Sequence, residues 1–241
     1  MTEKFIGLVL RTIKYSDNLM IADMYTRGHG RISFLVPVSR SRRSKVSSVL
    51  FRPLSMLAFT APHRQGRALA RLSNVQYHAV YSSVISDVYK TAIALYLAEF
   101  LSHVLREEGE NDALFAFIEH ALAWLDAADE GYADFHIVFM ARLTRFLGIC
   151  PNMENYSTGC FFDLSAGCLV DEQPMHGLFL SPEDSLNFME LLKVDFDSAH
   201  TLALNRKARG GYLALLENYY RVHIPDFPRL QSAEVLHELF D

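Results

Sequence analysis

The feature that most constrains the fold of this chain is a change in the period of its hydrophobic pattern near residue 80. Before that point, apolar and polar residues alternate in short runs bounded by turn-forming residues, which is typical of β-strands. From Tyr81 onwards the apolar residues recur about every 3.6 positions, which is typical of amphipathic helices. The sequence therefore predicts a strand-rich domain over residues 1–80 and a helical domain over residues 81–241.

The first domain is predicted to contain five strands. They cover residues 5–15, 19–26, 27–37, 53–62 and 67–77. Five strands in roughly 80 residues is a size at which a sheet closes into a small barrel. The OB-fold is one such barrel, and its strands and loops commonly bind oligonucleotides.

The second domain is predicted to be α-helical with a small insertion. The predicted helices cover residues 81–109, 112–128, 132–149, a segment after the N-cap Ser181, 212–224 and 232–240. The insertion covers about residues 150–178 and contains a possible hairpin over residues 161–170. The predicted fold class is thus α+β and multidomain: a five-stranded OB-fold β-barrel, then a helical domain with a cysteine-bearing hairpin insertion.

The charge is divided between the two predicted domains. Residues 1–80 contain thirteen Lys or Arg and three Asp or Glu, a net charge of +10. The remaining residues contain ten Lys or Arg and twenty-five Asp or Glu, a net charge of −15. Such asymmetry indicates that the first domain faces a polyanion.

The densest positive charge is a loop between the third and fourth predicted strands, which reads PVSRSRRSKVSS. It contains Arg40, Arg42, Arg43 and Lys45 and no acidic residue. One interpretation is a solvated surface loop whose charge only aids solubility. The other is a phosphate-binding loop, because guanidinium groups match phosphate geometry. The other cations of the first domain favour the second interpretation.

Aromatic residues of the first domain could also contact bases. Tyr15, Tyr25, Phe34 and Phe59 lie in predicted strands. Aromatic rings at strand spacing are more often core residues than stacking platforms, so none of the four is predicted to bind a base.

The insertion holds all three cysteines, Cys150, Cys160 and Cys168, together with His176. Structural zinc sites usually contain paired C-x2-C motifs, which are absent from this sequence. A hairpin explains the glycines of the insertion equally well. We expect no metal and no cofactor, although the sequence leaves open whether Cys160, Cys168 and His176 hold an ion.

The sequence contains none of the common catalytic motifs, such as G-x-S-x-G, H-E-x-x-H, a P-loop or G-x-G-x-x-G. We therefore expect a protein that is not an enzyme. An odd number of cysteines and the lack of any apolar run near 20 residues predict a cytoplasmic protein without a membrane segment.

The order of these motifs resembles the RecO family of bacterial recombination mediators. The opening GLVLRTIKYSDNLMIADMYTRGHGRISFLVP is similar to the start of the family, and SRSRRS is similar to its arginine-rich loop. ALYLAEFLSHVLREE resembles its first long helix and RFLGICPN the helix end before the insertion. The similarity extends through LQSAEVLHELF near the C-terminus.

The resemblance implies a protein that binds single- and double-stranded DNA and anneals complementary strands. It also implies that the protein helps RecR to load RecA onto DNA coated by single-strand-binding protein, in association with the nucleoid. The DNA contacts implied by the family are Arg11, Arg40, Arg42 and Arg43. Charge alone adds four further candidates, Lys14, Lys45, Arg67 and Arg71.

The family also binds the tail of single-strand-binding protein on its helical domain. Phe139, Arg142, Arg145 and Phe146 are our candidate residues for that contact, and the alternative is that the two arginines face solvent. Two other functions stay open. One is an adaptor whose basic barrel binds an acidic peptide, and the other is a metal-dependent hydrolase that uses the insertion.

Overall fold

A computed structural model of the chain describes residues 2–37, 48–62, 69–106, 108–154, 156–202 and 204–239. Contacts between its elements divide the chain into two compact units. The first unit is Met1–Ala127 together with Leu230–Leu239, and the second is Ala128–Arg229.

Six strands of the first unit form one sheet, in the order β5-β3-β2-β1-β4-β6. Their bounds are β1 Thr2–Ser16, β2 Leu19–Thr26, β3 Gly30–Pro37, β4 Met56–Pro62, β5 Ala70–Arg71 and β6 Ser73–Ala79. β5 pairs with β3 in parallel, and β6 pairs with β4 antiparallel. Because only Leu72 separates β5 from β6, one segment joins both ends of the sheet and closes it into the predicted OB-type barrel.

The fifth predicted strand is therefore two strands. The chain leaves the edge of β3 at Leu72, whose N–H donates to the carbonyl of Leu35 at 3.2 Å, and then pairs with β4. This change of partner interrupts the hydrogen bonding between strands. The alternation of apolar and polar residues continues through Leu72, so the sequence does not reveal the change.

Three phenylalanines form the centre of the barrel core. The ring centroids of Phe5 and Phe34 are 5.7 Å apart, those of Phe5 and Phe59 5.5 Å, and those of Phe34 and Phe59 5.0 Å. Phe34, Phe59 and Tyr25 are all buried, which confirms that they are core residues, whereas the side chain of Tyr15 is exposed.

Four helices belong to the first unit: α1 Ser82–Ser86, α2 Val88–Val104, α3 Asp112–Ala127 and α7 Ser232–Leu239. The predicted helix from Tyr81 to Gly109 is thus broken at Asp87 and ends at Val104. The Asp87 carboxylate accepts the N–H groups of Tyr89 at 2.8 Å and Lys90 at 3.0 Å, so it caps α2 and ends α1.

The C-terminal helix α7 packs against α2. The Glu99 carboxylate of α2 accepts the N–H of Gln231 at 2.9 Å and that of Ser232 at 2.8 Å, and it also accepts the Ser232 hydroxyl. These contacts satisfy N–H groups at the start of α7 that have no partner within the helix.

The barrel and the helices of the first unit are joined by specific contacts. The rings of Tyr25 and Phe115 lie 6.2 Å apart in a stacked arrangement. Arg27 forms an ion pair with Glu119 of α3 at 2.5 Å. The barrel therefore shares its packing with α2 and α3, although the change from strand to helix falls between Ala79 and Ser82.

The second unit contains three helices and a small sheet of order β8-β7-β9. Their bounds are α4 Phe135–Leu143, α5 Pro182–Lys193, α6 Arg206–His223, β7 Phe161–Asp163, β8 Cys168–Val170 and β9 Phe179–Leu180. β7 and β8 form the predicted hairpin, and Ser181 is the N-cap of α5 as predicted. The predicted helix over residues 132–149 contains only α4 and a 3₁₀ turn at Tyr132–Asp134. None of the helices in the described ranges is long and apolar enough to cross a membrane.

Gly30 provides a test of the packing between β3 and the segment after α2. Gly30 has φ +67°, and a Cβ added there would lie 2.6 Å from the backbone oxygens of Glu108 and Gly109. We expect Gly30→Ala to lower the free energy of unfolding by about 3 kcal/mol, because it adds a steric overlap to the left-handed backbone. Urea unfolding followed by circular dichroism measures this loss.

Gly28→Ala is the matched control for this substitution. Gly28 has φ +76° but nothing within 4 Å of the added Cβ, so we expect a loss of only about 1 kcal/mol. Equal losses for the two variants would contradict the close packing of Gly30.

Candidate nucleic-acid interface

The cross-strand register places two rows of side chains on one side of the barrel wall. Directly opposed residues of neighbouring strands lie on the same face of a sheet. The first row is Ile13, Ile21, Leu35 and Arg71, and the second row, two residues away, is Arg11, Asp23 and Ser33. We call the surface formed by these two rows the outer face.

A β-bulge brings Arg11 to the outer face. Val9 belongs to the barrel core, and in a regular strand the side chain two residues later would point the same way. The register of β1 shifts between Val9 and Arg11, so that Arg11 lies opposite Asp23. The extra residue therefore turns the arginine outwards.

The end of the outer face carries exposed apolar side chains. Ile13 is 45% exposed. Tyr15 is 63% exposed and lies between Lys14 and Ser16, where the register of β1 shifts a second time. Ile21 and Leu35 complete the apolar row and are half-buried. Exposed apolar side chains next to arginines suit a ligand with both flat apolar surfaces and negative charge.

Asp23 holds the charged row together. Its side chain is only 6% exposed and accepts bonds from Arg11 Nε at 2.6 Å, from Arg31 Nη2 at 3.1 Å and from the Ser33 hydroxyl. Burial alone would raise the pKa of the Asp23 carboxyl, but the hydrogen bonds from Ser33, Arg11 and Arg31 outweigh burial, so the pKa is lowered. Two arginines thus share one carboxylate.

Arg11 remains accessible although it is paired. Half of its side chain is exposed, whereas that of Arg31 is 13% exposed and donates from Nη1 to the Ser102 carbonyl of α2 at 2.6 Å. The arrangement fixes the direction of the Arg11 guanidinium and leaves part of it open to a phosphate.

Positive charge continues from this row to the end of α2. Burial lowers the pKa of His103, and the charges of Arg106, Arg11 and Arg31 lower it further against the opposing effect of Glu99. His103 therefore lies within electrostatic range of three arginines. Arg31, His103 and Arg106 are not among the residues predicted from the sequence. Arg106 is followed directly by acidic residues, so a charge count does not reveal it.

The structure brings Arg11 and Arg71 to the same face, but it does not bring Lys14 there. β1 and β5 are three strand spacings apart, which is about 14 Å. Lys14 lies opposite Met20, whose side chain packs against the barrel core, and it pairs with Asp17 at 3.2 Å. The other predicted DNA contacts lie outside the described residues: Arg40, Arg42, Arg43, Lys45 and Arg67.

Pro37 is the last described residue before the arginine-rich segment. It pairs with Leu19, which in turn pairs with Ser16. Pro37 therefore lies at the end of the barrel that carries the exposed row.

The predicted partner-binding residues of the second unit have different surroundings. Phe139 is fully buried, so it is a core residue and has no exposed surface to offer a partner. Arg142 donates to the Val194 carbonyl at 3.2 Å and Arg145 to the Leu192 carbonyl at 2.8 Å, at the end of α5. These bonds satisfy carbonyl groups that a helix end leaves without partners. For Arg142, Arg145 and the half-buried Phe146, a partner contact stays a prediction.

The cysteines of the insertion are dispersed. Cys160 is buried, with its Sγ 2.9 Å from the Ser157 hydroxyl and 3.4 Å from an Asp171 oxygen. Cys150 is exposed, and His176 bonds to Asp163 at 3.2 Å. Across the described part of the chain, no three His, Cys, Asp or Glu side chains converge as metal ligands.

Asp23 gives the site a predicted pH dependence. We expect Asp23→Asn to lower the free energy of unfolding at neutral pH by about 3 kcal/mol, because it leaves the largely covered Arg31 without its charged partner. Since the folded pKa of Asp23 is lowered, its contribution is present above the unfolded pKa of about 4 and is lost as pH falls through the folded value. Urea unfolding between pH 7 and about pH 3 should show the two proteins converging in acid.

Asp17→Asn is the control, because the ion pair of Asp17 with Lys14 is exposed on both sides. It should leave stability unchanged. A difference between wild type and Asp23→Asn that persists in acid would show that the loss does not come from the Asp23 charge.

Comparison with known proteins identifies the family of the chain. Family models described as Recombination protein O N terminal and Recombination protein O C terminal match residues 1–81 and 85–232. The chain is 45% identical over 240 residues to a DNA repair protein RecO of Phocaeicola vulgatus and 41% identical over 242 residues to one of Bacteroides fragilis, and each alignment covers 100% of both chains. A DNA repair protein RecO of Porphyromonas gingivalis is 33% identical over 239 residues, which is 98% of both chains. The chain therefore belongs to the RecO family of DNA repair proteins.

Proposed function

We propose that the protein is a non-enzymatic DNA-binding mediator that anneals complementary strands. With RecR, it helps to load RecA onto single-stranded DNA coated by single-strand-binding protein, in the cytoplasm at the nucleoid. The observation that carries the proposal is the convergence of Arg11 and Arg71 on one face of the barrel, at whose end lies Pro37, the last described residue before the arginine-rich segment. Membership of a DNA repair family supports the same ligand.

Phosphate binding on this face is mainly electrostatic. Arg11 and Arg71 supply guanidinium groups that can each donate two hydrogen bonds to a phosphate, and Arg40, Arg42 and Arg43 add further charge. Contacts to phosphates carry no sequence information, which suits a protein that anneals any pair of complementary strands.

The apolar row favours unpaired bases. The side chains of Ile13 and Tyr15 are exposed further along β1 from Arg11, and unstacked bases present apolar faces that a duplex keeps covered. We therefore propose that a single strand lies on the outer face with its phosphates towards the arginines and its bases towards this row.

In this proposal the two predicted domains bind different ligands. Residues 81–241 carry a net charge of −15, which repels DNA, so the helical domain binds proteins: RecR and the acidic tail of single-strand-binding protein, the latter through Arg142, Arg145 and Phe146. Because the barrel packs on α2 and α3 through Tyr25 and Arg31, the tests use the full chain.

The first test measures the salt dependence of DNA binding. For the variant Arg40→Ala, Arg42→Ala, Arg43→Ala, we expect weaker binding to every sequence and a log–log salt slope flatter by about 2 on single strands, because three phosphate contacts are lost. Fluorescence anisotropy of a labelled strand of about 30 nucleotides at several salt concentrations gives both values.

The control removes the same charge elsewhere. Lys193, Lys207 and Arg221 are exposed residues of the second unit, and their triple replacement by Ala should leave the slope unchanged. Equal slopes for wild type and the arginine variant would show that the loop does not contact phosphates. Tighter binding of an acidic peptide than of DNA at physiological salt would favour an adaptor instead.

The second test concerns base contact. We expect Tyr15→Ala to weaken single-strand binding about tenfold, because one stacked base contributes about 1–3 kcal/mol, and to change duplex binding less. Tyr89→Ala is the matched control, since Tyr89 is 43% exposed on α2, away from the outer face. An equal effect on single and double strands would contradict base stacking at Tyr15.

A further inference from the structure

A second concave surface lies on strands β1, β4 and β6 of the barrel. It is a cleft of about 510 Å³, a size typical of small-ligand sites. Its lining residues are Lys4, Phe5, Ile6, Ala58, Phe59, Thr60, Asn74, Gln76 and His78. We call it the β6 cleft. Nothing in the proposed function uses it.

Two apolar side chains, Ile6 and Ala58, contribute to the floor of the β6 cleft. Ile6, Ala58 and Gln76 are direct cross-strand neighbours and therefore share one face. The small side chain of Ala58 lies in the middle of this row and leaves room above the sheet. A flat group can thus lie on Ala58 between the longer side chains on either side.

Asn74 is held in an unusual conformation at the edge of the cleft. Its φ is +50°, in the left-handed region, and the register between β4 and β6 shifts beside it. Its Nδ2 donates to the Thr60 hydroxyl at 3.2 Å, and that hydroxyl lies 2.9 Å from the Ser73 hydroxyl. Bulges and left-handed non-glycine residues occur often at binding sites, where they direct a side chain.

The polar groups of the cleft match the edges of bases. Thr60, Asn74, Gln76 and His78 each carry atoms that donate or accept hydrogen bonds. Lys4 adds a positive charge, and the lining residues that the structure describes include no carboxylate. Glu119 bonds to His78 at 2.9 Å, but it is also paired with Arg27 at 2.5 Å.

The β6 cleft is separate from the outer face. Lys4 and Arg11 both belong to β1, but they are seven positions apart, which is about 23 Å along a strand. Leu8 and Leu10 between them are buried, and α2 packs against β1. One strand of the barrel therefore carries an exposed surface at each end with a covered centre.

We propose that the β6 cleft binds bases of a second single strand of DNA while the first strand lies on the outer face. The inference rests on the proposed function, and it adds the place where the complementary strand is held. The contacts are hydrogen bonds from Asn74, Gln76 and His78 to base edges, an apolar floor under one base, and Lys4 near a phosphate. A barrel with two such surfaces holds two strands close enough to find their complementary register.

The test compares binding of one strand with annealing of two. The variant Lys4→Ala, Gln76→Ala removes the cation and one amide, and Gln173→Ala in an exposed loop of the second unit is the control. We expect the double variant to anneal complementary oligonucleotides of about 30 nucleotides at least about fivefold more slowly, which corresponds to one lost base contact. Its affinity for a single labelled strand should stay within about twofold of wild type, since the outer face is intact.

A third variant distinguishes slower annealing caused by a lost contact from slower annealing caused by misfolding. Asn74→Gly removes the side chain and relieves the left-handed backbone, so thermal unfolding should occur at the same temperature as in wild type or higher. We nevertheless expect it to slow annealing, which a purely structural role of Asn74 would not do.

The outcomes separate this inference from the proposed function. Intact single-strand binding with unchanged annealing in both cleft variants overturns the inference alone. A loss of single-strand affinity as large as the loss of annealing overturns it as well, because the cleft would then belong to the first strand's site. A wild-type protein that binds no single strand overturns the proposed function and the inference with it.

Discussion

The buried carboxylate of Asp23 is the interaction on which the interface depends. It lies on β2 and bonds to Arg11 of β1 and to Arg31 and Ser33 of β3, so that one side chain links three strands. Arg31 in turn bonds to the Ser102 carbonyl of α2. A charge with so little exposure is tolerable only when its partners satisfy it, and here one of the partners is Arg11, half of whose side chain is exposed on the outer face. The bonds to Asp23 therefore both stabilise the barrel and fix the direction of the Arg11 guanidinium.

This coupling also explains why the strands and the first helices form one unit. Tyr25 stacks on Phe115, Arg27 pairs with Glu119, and Gly30 allows close approach of the backbone after α2. Each contact comes from β2, β3 or the turn between them. Strands β2 and β3, which contact the helices, also form part of the outer face. The helices therefore stabilise the strands on which the outer face lies.

Much of the fold follows from the sequence because burial on one face imposes a period of two on strands. β1 to β4, the hairpin of the insertion and the Ser181 cap were predictable for this reason. The breaks at Leu72 and Asp87 were not, because a change of strand partner leaves alternation intact and an Asp fits both a helix surface and an N-cap. Phe139 was selected as a partner-binding residue although it is buried, because an apolar residue of a helix that is buried nearly all round shows no clear exposed stripe.

The site was predictable as a set of charges and not as a geometry. The family resemblance selected Arg11 and the cation count selected Arg71, but only the register shows that they share a face. Regular alternation from Val9 would turn Arg11 into the barrel, and the bulge that reverses it has no signature in the sequence. Lys14 was selected by the same count, yet it lies on the other side of the hairpin, because a charge count carries no information on direction.

The chain returns to α2 at its C-terminal end, so the first unit is formed by two separate segments of the sequence. The first unit is completed only by Leu230–Leu239, so the second unit is an insertion within it, connected by two crossings of the chain. During synthesis from the N-terminus, the barrel and α1 to α3 emerge long before the segment that Glu99 caps. The side of α2 on which α7 packs therefore stays uncovered until Leu230–Leu239 has been synthesised, and apolar surface that is exposed in a nascent chain favours aggregation.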